Sequence, residues 1–335
     1  MRFLCCLLAA LPLASLATAA DSSKPQYRKA FVDTLSAGAD FQVQGEYAGQ
    51  LTDGSKYGVQ IVSLGDGKFR AVGYQGGLPG DGWNGSERVI TESSADRKAV
   101  SGVAEFKSDH GSGIAKGGLL ELFDAGGKPA GALPQVHRES PTLGATPPAG
   151  AVVLFDGHSA DAWRGGRVKD GLLQVGGQSK QSFDDFTLHL EFLLPYMPYA
   201  RGQDRGNSGL FLQRRYEIQI LDSFGLDGAD NECGAVYHFQ EPLVNMCLPP
   251  LSWQTYDMDF KMARFDASGK KMANARVTVK HNGVLIHDQL ELTRTSDSPW
   301  KVAETADGGP FYIQYHGAPV QFRNIWIVPG AAGKD

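Results

Sequence analysis

Nowhere between Asp40 and Pro329 does the sequence sustain an apolar repeat of helical period. It runs in short alternating or apolar stretches cut by Asp-Gly, Asn-Gly and Gly-Gly turns. Strands without helices can bury their apolar faces only against other strands, so the pattern predicts an all-β chain. FQVQGEYAGQL, YGVQIVSL and FRAVGYQG, separated by TDGS and GDGK, read as successive hairpin strands beginning near Asp40, and further strands fall at Ala99 to Phe106 and Leu119 to Phe123. Residues 21–139 are expected to form a small β-rich domain. SPTLGATPPAG, residues 140–150, has the Pro, Gly and small-residue content of a stiff linker.

Residues 151–330 open with VVLFDG and the candidate anchor Trp163, then repeat strand and turn through FTLHLEFLL, GLFLQRRYEIQILD, TYDMDFKMARF, a hairpin turning at Asn282-Gly283, PFYIQYHG and VQFRNIWIVP. Such spacing predicts a two-sheet sandwich of jelly-roll type. At 335 residues and 42% hydrophobic content the chain is globular, and a formal charge of -5 without basic blocks argues against nucleic acid or an anionic membrane surface as partner. Arg2, the apolar run Phe3 to Leu16 and Ala17-Thr18-Ala19-Ala20 form the pattern of a cleaved signal over residues 1–20, too short to span a membrane. The expectation is export, to the periplasm of a bacterium or beyond it. Cys233 and Cys247 then remain in the mature chain, either as one disulfide or as two buried thiols.

The densest chemistry lies between Arg201 and Asp222. A strand there places Leu212, Ile218 and Ile220 on one side and Glu217 and Gln219 on the other. A carboxylate on so apolar a strand is costly to bury unpaired, so the second face is expected to line a cleft. Asp222 is out of phase by simple alternation, and a bulge near Leu221 would return it to the face of Glu217. Arg201, Gln203, Arg205 and Asn207 crowd just upstream. Gly206-Asn207-Ser208-Gly209 lacks the spacing and following helix of a nucleophile elbow.

LFDGHSADAW, RGNSGLFLQRRYEIQILDS, CGAVYHFQEPLVNMC, PPLSWQTYDMDF, VKHNGVLIHD and YHGAPVQFRNIWI together resemble the 3-keto-disaccharide hydrolase family over residues 150 to 329. The resemblance implies a concanavalin A-like jelly roll acting on glycosides already oxidised at the third carbon, preceded here by a β-rich extension similar to that of some members. Members often carry Asp before the His-Gly near the C-terminus, where this chain has Tyr315. A third-carbon ketone acidifies the hydrogen on the second carbon; a base removes it, the enolate expels the glycosidic oxygen, and water adds to the unsaturated sugar.

For that chemistry Glu217 is the expected base and His316, sharing a strand face with Gln314, the expected acid or oxyanion donor. Asp222 is expected as a second catalytic carboxyl that also holds a hydroxyl; Arg201, Arg205 and Arg323 are expected to hold the enolate, and Asn207, Gln219 and Gln254 the hydroxyls. Glu191, beside His189, is expected to flank the same cleft. The carbohydrate is the expected partner, with oligomeric state open. No compact metal motif is present; calcium or zinc assembled from Glu217, Asp222 and His316 stays open as a cofactor. Two rival readings remain. One is an ordinary retaining glycosidase of laminarinase type, whose acid pattern is echoed by Glu217, Gln219 and Asp222. The other is a non-catalytic carbohydrate-binding module stacking sugars on Tyr196, Tyr199, Tyr237 and Trp253.

Overall fold

The computed structural model describes residues 25–93, 102–297, 300 and 302–330; the signal-like segment lies outside them. The described chain is built almost wholly from strands, as the turn pattern requires. After a 3₁₀ turn, Gln26–Arg28, and a five-residue helix, α1 (Ala39–Val43), eight strands follow. They are β1 (Gly45–Gln50), β2 (Lys56–Gly65), β3 (Lys68–Gln75), β4 (Arg88–Glu92), β5 (Val103–Ser108), β6 (Gly111–Lys116), β7 (Leu119–Asp124) and β8 (Pro129–Val136). The strand expected to start near Asp40 therefore starts later, because Ala39–Val43 turn helically first. Asp66 and Gly67, both at positive φ, make the tight β2–β3 turn that Asp-Gly announces.

The eight strands form one antiparallel sheet in the order β4-β3-β2-β1-β8-β7-β6-β5. Its two edges meet: Ser93 bridges Phe106, and the Thr91 hydroxyl donates to the Lys107 carbonyl at 3.0 Å. The sheet thus curls into a barrel around Tyr47, Val59, Ile61, Phe69, Phe106, Leu120 and Leu133, and closure leaves no long free edge.

The C-terminal part is a sandwich. In chain order its strands are β9 (Val152–Phe155), β10 (Trp163–Arg164), β11 (Val168–Lys169), β12 (Leu172–Gln174), β13 (Gln178–Phe183), β14 (Phe186–Leu193), β15 (Ser208–Leu212) and β16 (Tyr216–Ile220). Then come β17 (Trp253–Lys261), β18 (Arg264–Phe265), β19 (Lys271–Ala273), β20 (Ala275–His281), β21 (Val284–Leu292), β22 (Gly309–Ile313) and β23 (Gln321–Pro329). One sheet runs β10-β13-β22-β15-β16; the other runs β11-β12-β23-β14-β17-β20-β21, with β9 added on β23. Alternation decides which side chains meet between them. Leu188, Leu190 and Phe192 of β14 face Leu210, Leu212, Ile218 and Ile220 of β15 and β16 in one continuous core. Trp163 is buried there, its indole N–H donating to the Leu154 carbonyl at 2.8 Å.

The barrel sits on one end of the sandwich. Val62 enters the sandwich core, the Tyr196 hydroxyl donates to Ser63 at 2.8 Å, and Arg88 pairs with Asp227. Gly225 packs where a Cβ would fall 2.5 Å from Val62 Cγ2, so only glycine allows that approach.

Candidate active site

Residues 216–220 alternate plainly: Tyr216, Ile218 and Ile220 go to the core, while Glu217 and Gln219 go to the outer face of the five-stranded sheet. Cross-strand pairing extends that face. Gly209 lies opposite Gln219, Phe211 opposite Glu217, and Tyr312 opposite Phe211. Gln314 continues it, its N–H donating to the Gly209 carbonyl at 2.8 Å. Beyond β16, Val236 bridges Ile218 and the Tyr237 N–H donates to the Glu217 carbonyl at 3.0 Å, which sets Tyr237 beside Glu217.

Glu217 is 3% exposed, and among the described residues its carboxyl has no hydrogen-bond partner and no cation against it. Burial alone pushes it up to about 8. The carboxyl leans across β15: a Cβ on residue 209 would lie 2.1 Å from Glu217 Oε1, so the glycine of Asn-Ser-Gly makes the room. The Tyr237 phenol is raised by burial and then by the Glu217 charge, which keeps it a neutral O–H donor.

On one side of Glu217 stands a chain of amides. Gln219 Nε2 and Asn207 Nδ2 each donate to Gln203 Oε1 at 3.0 Å, and Gln203 Nε2 donates to the Asn231 carbonyl at 2.8 Å. Asn207 Oδ1 and Gln314 Oε1 are buried without a donor. Orphan acceptors of this kind call for a ligand or water that donates, and sugar hydroxyls do so. On the other side is an aromatic wall. Trp300 meets Phe211 and Tyr312 edge-on, with centroids 5.2 and 4.7 Å apart, and carries the Arg214 guanidinium over its ring at 4.9 Å. A carboxyl, amides and rings share this face, the chemistry that the expected cleft needs to hold a pyranose by hydroxyls and by its apolar face.

Of the expected site residues, Glu217, Gln219 and Asn207 come together here, and the others do not. Asp222 is 1% exposed and pairs with Arg205, Nε to Oδ2 at 2.6 Å. Its charge acts on Cys233 and Cys247 in the core, where Leu221 before it is also buried, so the carboxylate is held inward by Arg205 and does not join Glu217. Burial raises the Asp222 carboxyl against the pull of Arg205. Arg201 gives its guanidinium to the carbonyls of Pro198, Ala200 and, from the barrel, Leu64. Gln254 lies on the core face of β17, accepting from the Leu248 N–H at 2.9 Å and sitting 2.9 Å from His281 Nε2. His316 stands exposed beyond the end of β22 and, among the described residues, makes no hydrogen bond or ion pair with those around Glu217.

Glu191 and Arg323 are on the far side of the molecule, on the outer face of the other sheet. Arg323 Nε donates to Glu191 Oε2 at 2.6 Å, and its guanidinium lies 4.0 Å from the Trp253 ring centroid. Residues of the expected linker cover the pair: the Gly144 N–H donates to Glu191 Oε1 at 2.6 Å and the Thr142 hydroxyl to Asp257 Oδ2 at 2.6 Å. Against burial, His189, Asn324, Arg323 and the Gly144 N–H hold Glu191 down at about 2. His189, buried between Asp257 and Glu191, is raised by them despite its burial.

Tyr196 and Tyr199 are interface residues, bonded to Ser63 and Asp66 of the barrel, so of the four aromatic residues expected to stack sugars only Tyr237 borders the cleft. Cys233 and Cys247 are free buried thiols, not the disulfide that an even count allows. Tyr256 shares a hydrogen bond with Cys233 at 3.3 Å, and burial carries Cys247 well up. Among the described residues no group of three or more His, Cys, Asp or Glu is placed to hold a metal; Asp222 is spent on Arg205, and Glu217, Asp222 and His316 do not converge. Phe211, Tyr312 and Trp300 carry no sequence signal as site residues, because nothing local distinguishes an outward aromatic from a core or loop residue; Gln203 and Gln314 are marked only by their neighbours.

Residues 150–328 match the family model of the 3-keto-alpha-glucoside-1,2-lyase-like domain, more than half the chain. The chain belongs to this family. It is a glycoside-cleaving enzyme of the hydrolase or lyase class. All the cleft residues named above fall within the part matched by the 3-keto-alpha-glucoside-1,2-lyase-like model, and the barrel lies outside it. A protein of Parabacteroides distasonis ATCC 8503, described as a glycosyl hydrolase, is 33% identical over 55% of this chain and 85% of its own, with a TM-score of 0.49. A second from the same organism, described likewise, is 17% identical over 53% of this chain and 93% of its own, at 0.40. No curated protein matches the sequence.

Proposed function

We propose that the cleft cleaves glycosides carrying a ketone at the third sugar carbon, by elimination and hydration, with Glu217 as the base. The observation that carries this is a carboxyl raised to about 8 by burial alone, set between orphan amide acceptors and an aromatic wall. Ionised, so desolvated a carboxylate is a far stronger base than one in water, suited to a carbon acid made tractable by the adjacent ketone. Glu217 takes the proton from the second carbon, and the electron pair forms the enolate. As the enolate collapses, the bond from the first carbon to the glycosidic oxygen breaks, and the departing oxygen takes a proton from the Tyr237 phenol or from water. Water then adds across the double bond. Asn207, Gln203, Gln219 and Gln314 orient the hydroxyls, and Trp300 supports the apolar face of the ring.

The retaining-glycosidase alternative requires a second carboxyl about 5 Å from the first. The amide Gln219 stands where a central acid would, and Asp222 faces the core, which favours elimination. We also propose export through residues 1–20, to the periplasm or outside a bacterial cell, from the charge and apolar pattern of that segment.

The test is aglycone release from a 3-keto-glucoside and from the matching unoxidised glucoside by the purified protein and by Glu217→Gln. Release from the keto substrate alone, lost in the variant while substrate still binds, supports the reading. Release from the unoxidised glucoside moves the assignment to an ordinary glycosidase, and sugar binding without turnover on either moves it to a binding module.

A further inference from the structure

The barrel contains a cavity of about 270 Å³ that has no part in the cleft. Tyr57, Val59, Val89, Phe106, Leu120 and Leu122 supply its walls. A dry engineered cavity of roughly 150 Å³ holds benzene, so this one has room for about two fused rings. Such a void inside a close-packed barrel forfeits packing energy when empty. Two glycines in strand interiors, Gly73 and Gly113, line it; a glycine in a strand marks a place where another group approaches closely. At Gly73 that group is the Tyr57 phenol, since a Cβ there would lie 2.3 Å from its oxygen. Tyr57 is half-buried, and among the described residues its hydroxyl has no hydrogen-bond partner, so it is open to one on a bound molecule. The mouth is polar, formed by Ser108, His110 and Asp124 near the β5–β6 turn.

The cavity lies at the Tyr57 end of β2; the sandwich is contacted at Ser63 and Asp66, and also at Arg88, next to the lining residue Val89. Six residues of strand separate Tyr57 from Ser63, about 20 Å. None of the residues placed around Glu217 lines the cavity.

We propose that the barrel is a separate binding site for a compact aromatic molecule of up to two fused rings bearing one hydroxyl, which bonds to Tyr57. The rings lie against Phe106 and the leucines, and the hydroxyl supplies the partner that the Tyr57 phenol lacks. The site is independent of the reaction assigned to the cleft.

The experiment is calorimetric titration of the full chain with 2-naphthol and, for comparison, decan-1-ol. Expected is saturable binding of one naphthol per chain, tighter than the alcohol. Tyr57→Phe keeps the shape and weakens binding about fivefold. Val89→Trp fills the cavity and abolishes binding with an unchanged far-ultraviolet dichroism spectrum, and Glu217→Gln binds like the parent. Absence of saturable binding, undiminished binding in Val89→Trp, or equal affinity in Tyr57→Phe overturns the site. Tighter binding of decan-1-ol than of 2-naphthol overturns the aromatic assignment.

Discussion

Replacing Glu217 with Gln is expected to stabilise the folded protein at alkaline pH while removing turnover. The carboxyl has an ordinary value of 4.5 and is raised to about 8 in the fold. Between those values the unfolded chain has lost a proton that the folded chain keeps, so stability falls as pH rises, by about 1.4 kcal/mol per unit. The full difference, reached above pH 8, is about 5 kcal/mol. Water entering the cleft on ionisation trims this to roughly 2–5 kcal/mol. Glutamine has nearly the same shape and never ionises, so it escapes the penalty. At about 1.5 °C per kcal/mol for a chain of this size, the Glu217→Gln variant should melt roughly 3–8 °C higher than the parent at pH 8.5 and near the parent temperature at pH 4.5. Scanning calorimetry of both proteins across that range reads the effect. A constant difference at all pH values, or none, would refute an isolated buried carboxyl at this position.

Four further outcomes follow from the same geometry. Gly209→Ala sets a methyl carbon 2.1 Å from where Glu217 Oε1 lies, so kcat should drop about 100-fold with little change in melting temperature, read by steady-state kinetics beside thermal melts. Trp300→Ala should raise KM about tenfold through loss of ring stacking while kcat stays near the parent value. Arg323→Ala removes a partly exposed guanidinium from Glu191, which keeps His189, Asn324 and the Gly144 N–H, and should cost about 1–2 kcal/mol of stability, measured by urea unfolding, yet leave kcat of the folded fraction intact because the pair faces away from the cleft. Thiol titration of unreduced protein made without residues 1–20, which carry Cys5 and Cys6, should find two reactive thiols in denaturant and none in the native state, since Cys233 and Cys247 are free and buried.

What could be read from the residues alone follows the range of the interactions involved. Strand alternation is local, so the all-β class and the outward position of Glu217 and Gln219 were legible, and so was the turn at Asn282-Gly283, where both residues take positive φ. Asp222 shows the opposite error: it was out of phase with Glu217, and its partner Arg205, 17 positions away, holds it buried in the core instead of beside that carboxyl. Arg201, Glu191 and Arg323 carried the right chemistry for a sugar site, but their partners are distant in sequence. Glu191 meets Arg323 across 132 positions and Arg201 meets Leu64 across 137. No spacing rule reaches that far. The 140–150 segment has linker composition, yet its Thr142 hydroxyl and Gly144 N–H find carboxylates on β14 and β17. Trp300 sits in a stretch without strand pattern, and its packing on Phe211 and Tyr312 exists only once the sheet has assembled.

The central claim, that Glu217 removes a proton from the second sugar carbon, is tested most directly by running the reaction on a 3-keto-glucoside in deuterated water and reading the released sugar early by nuclear magnetic resonance. Elimination and hydration put deuterium on the second carbon of the product, at a rate that rises with pH and levels above about 8 as Glu217 ionises. Product that keeps its original hydrogen at that carbon, released equally well by Glu217→Gln, would contradict the account.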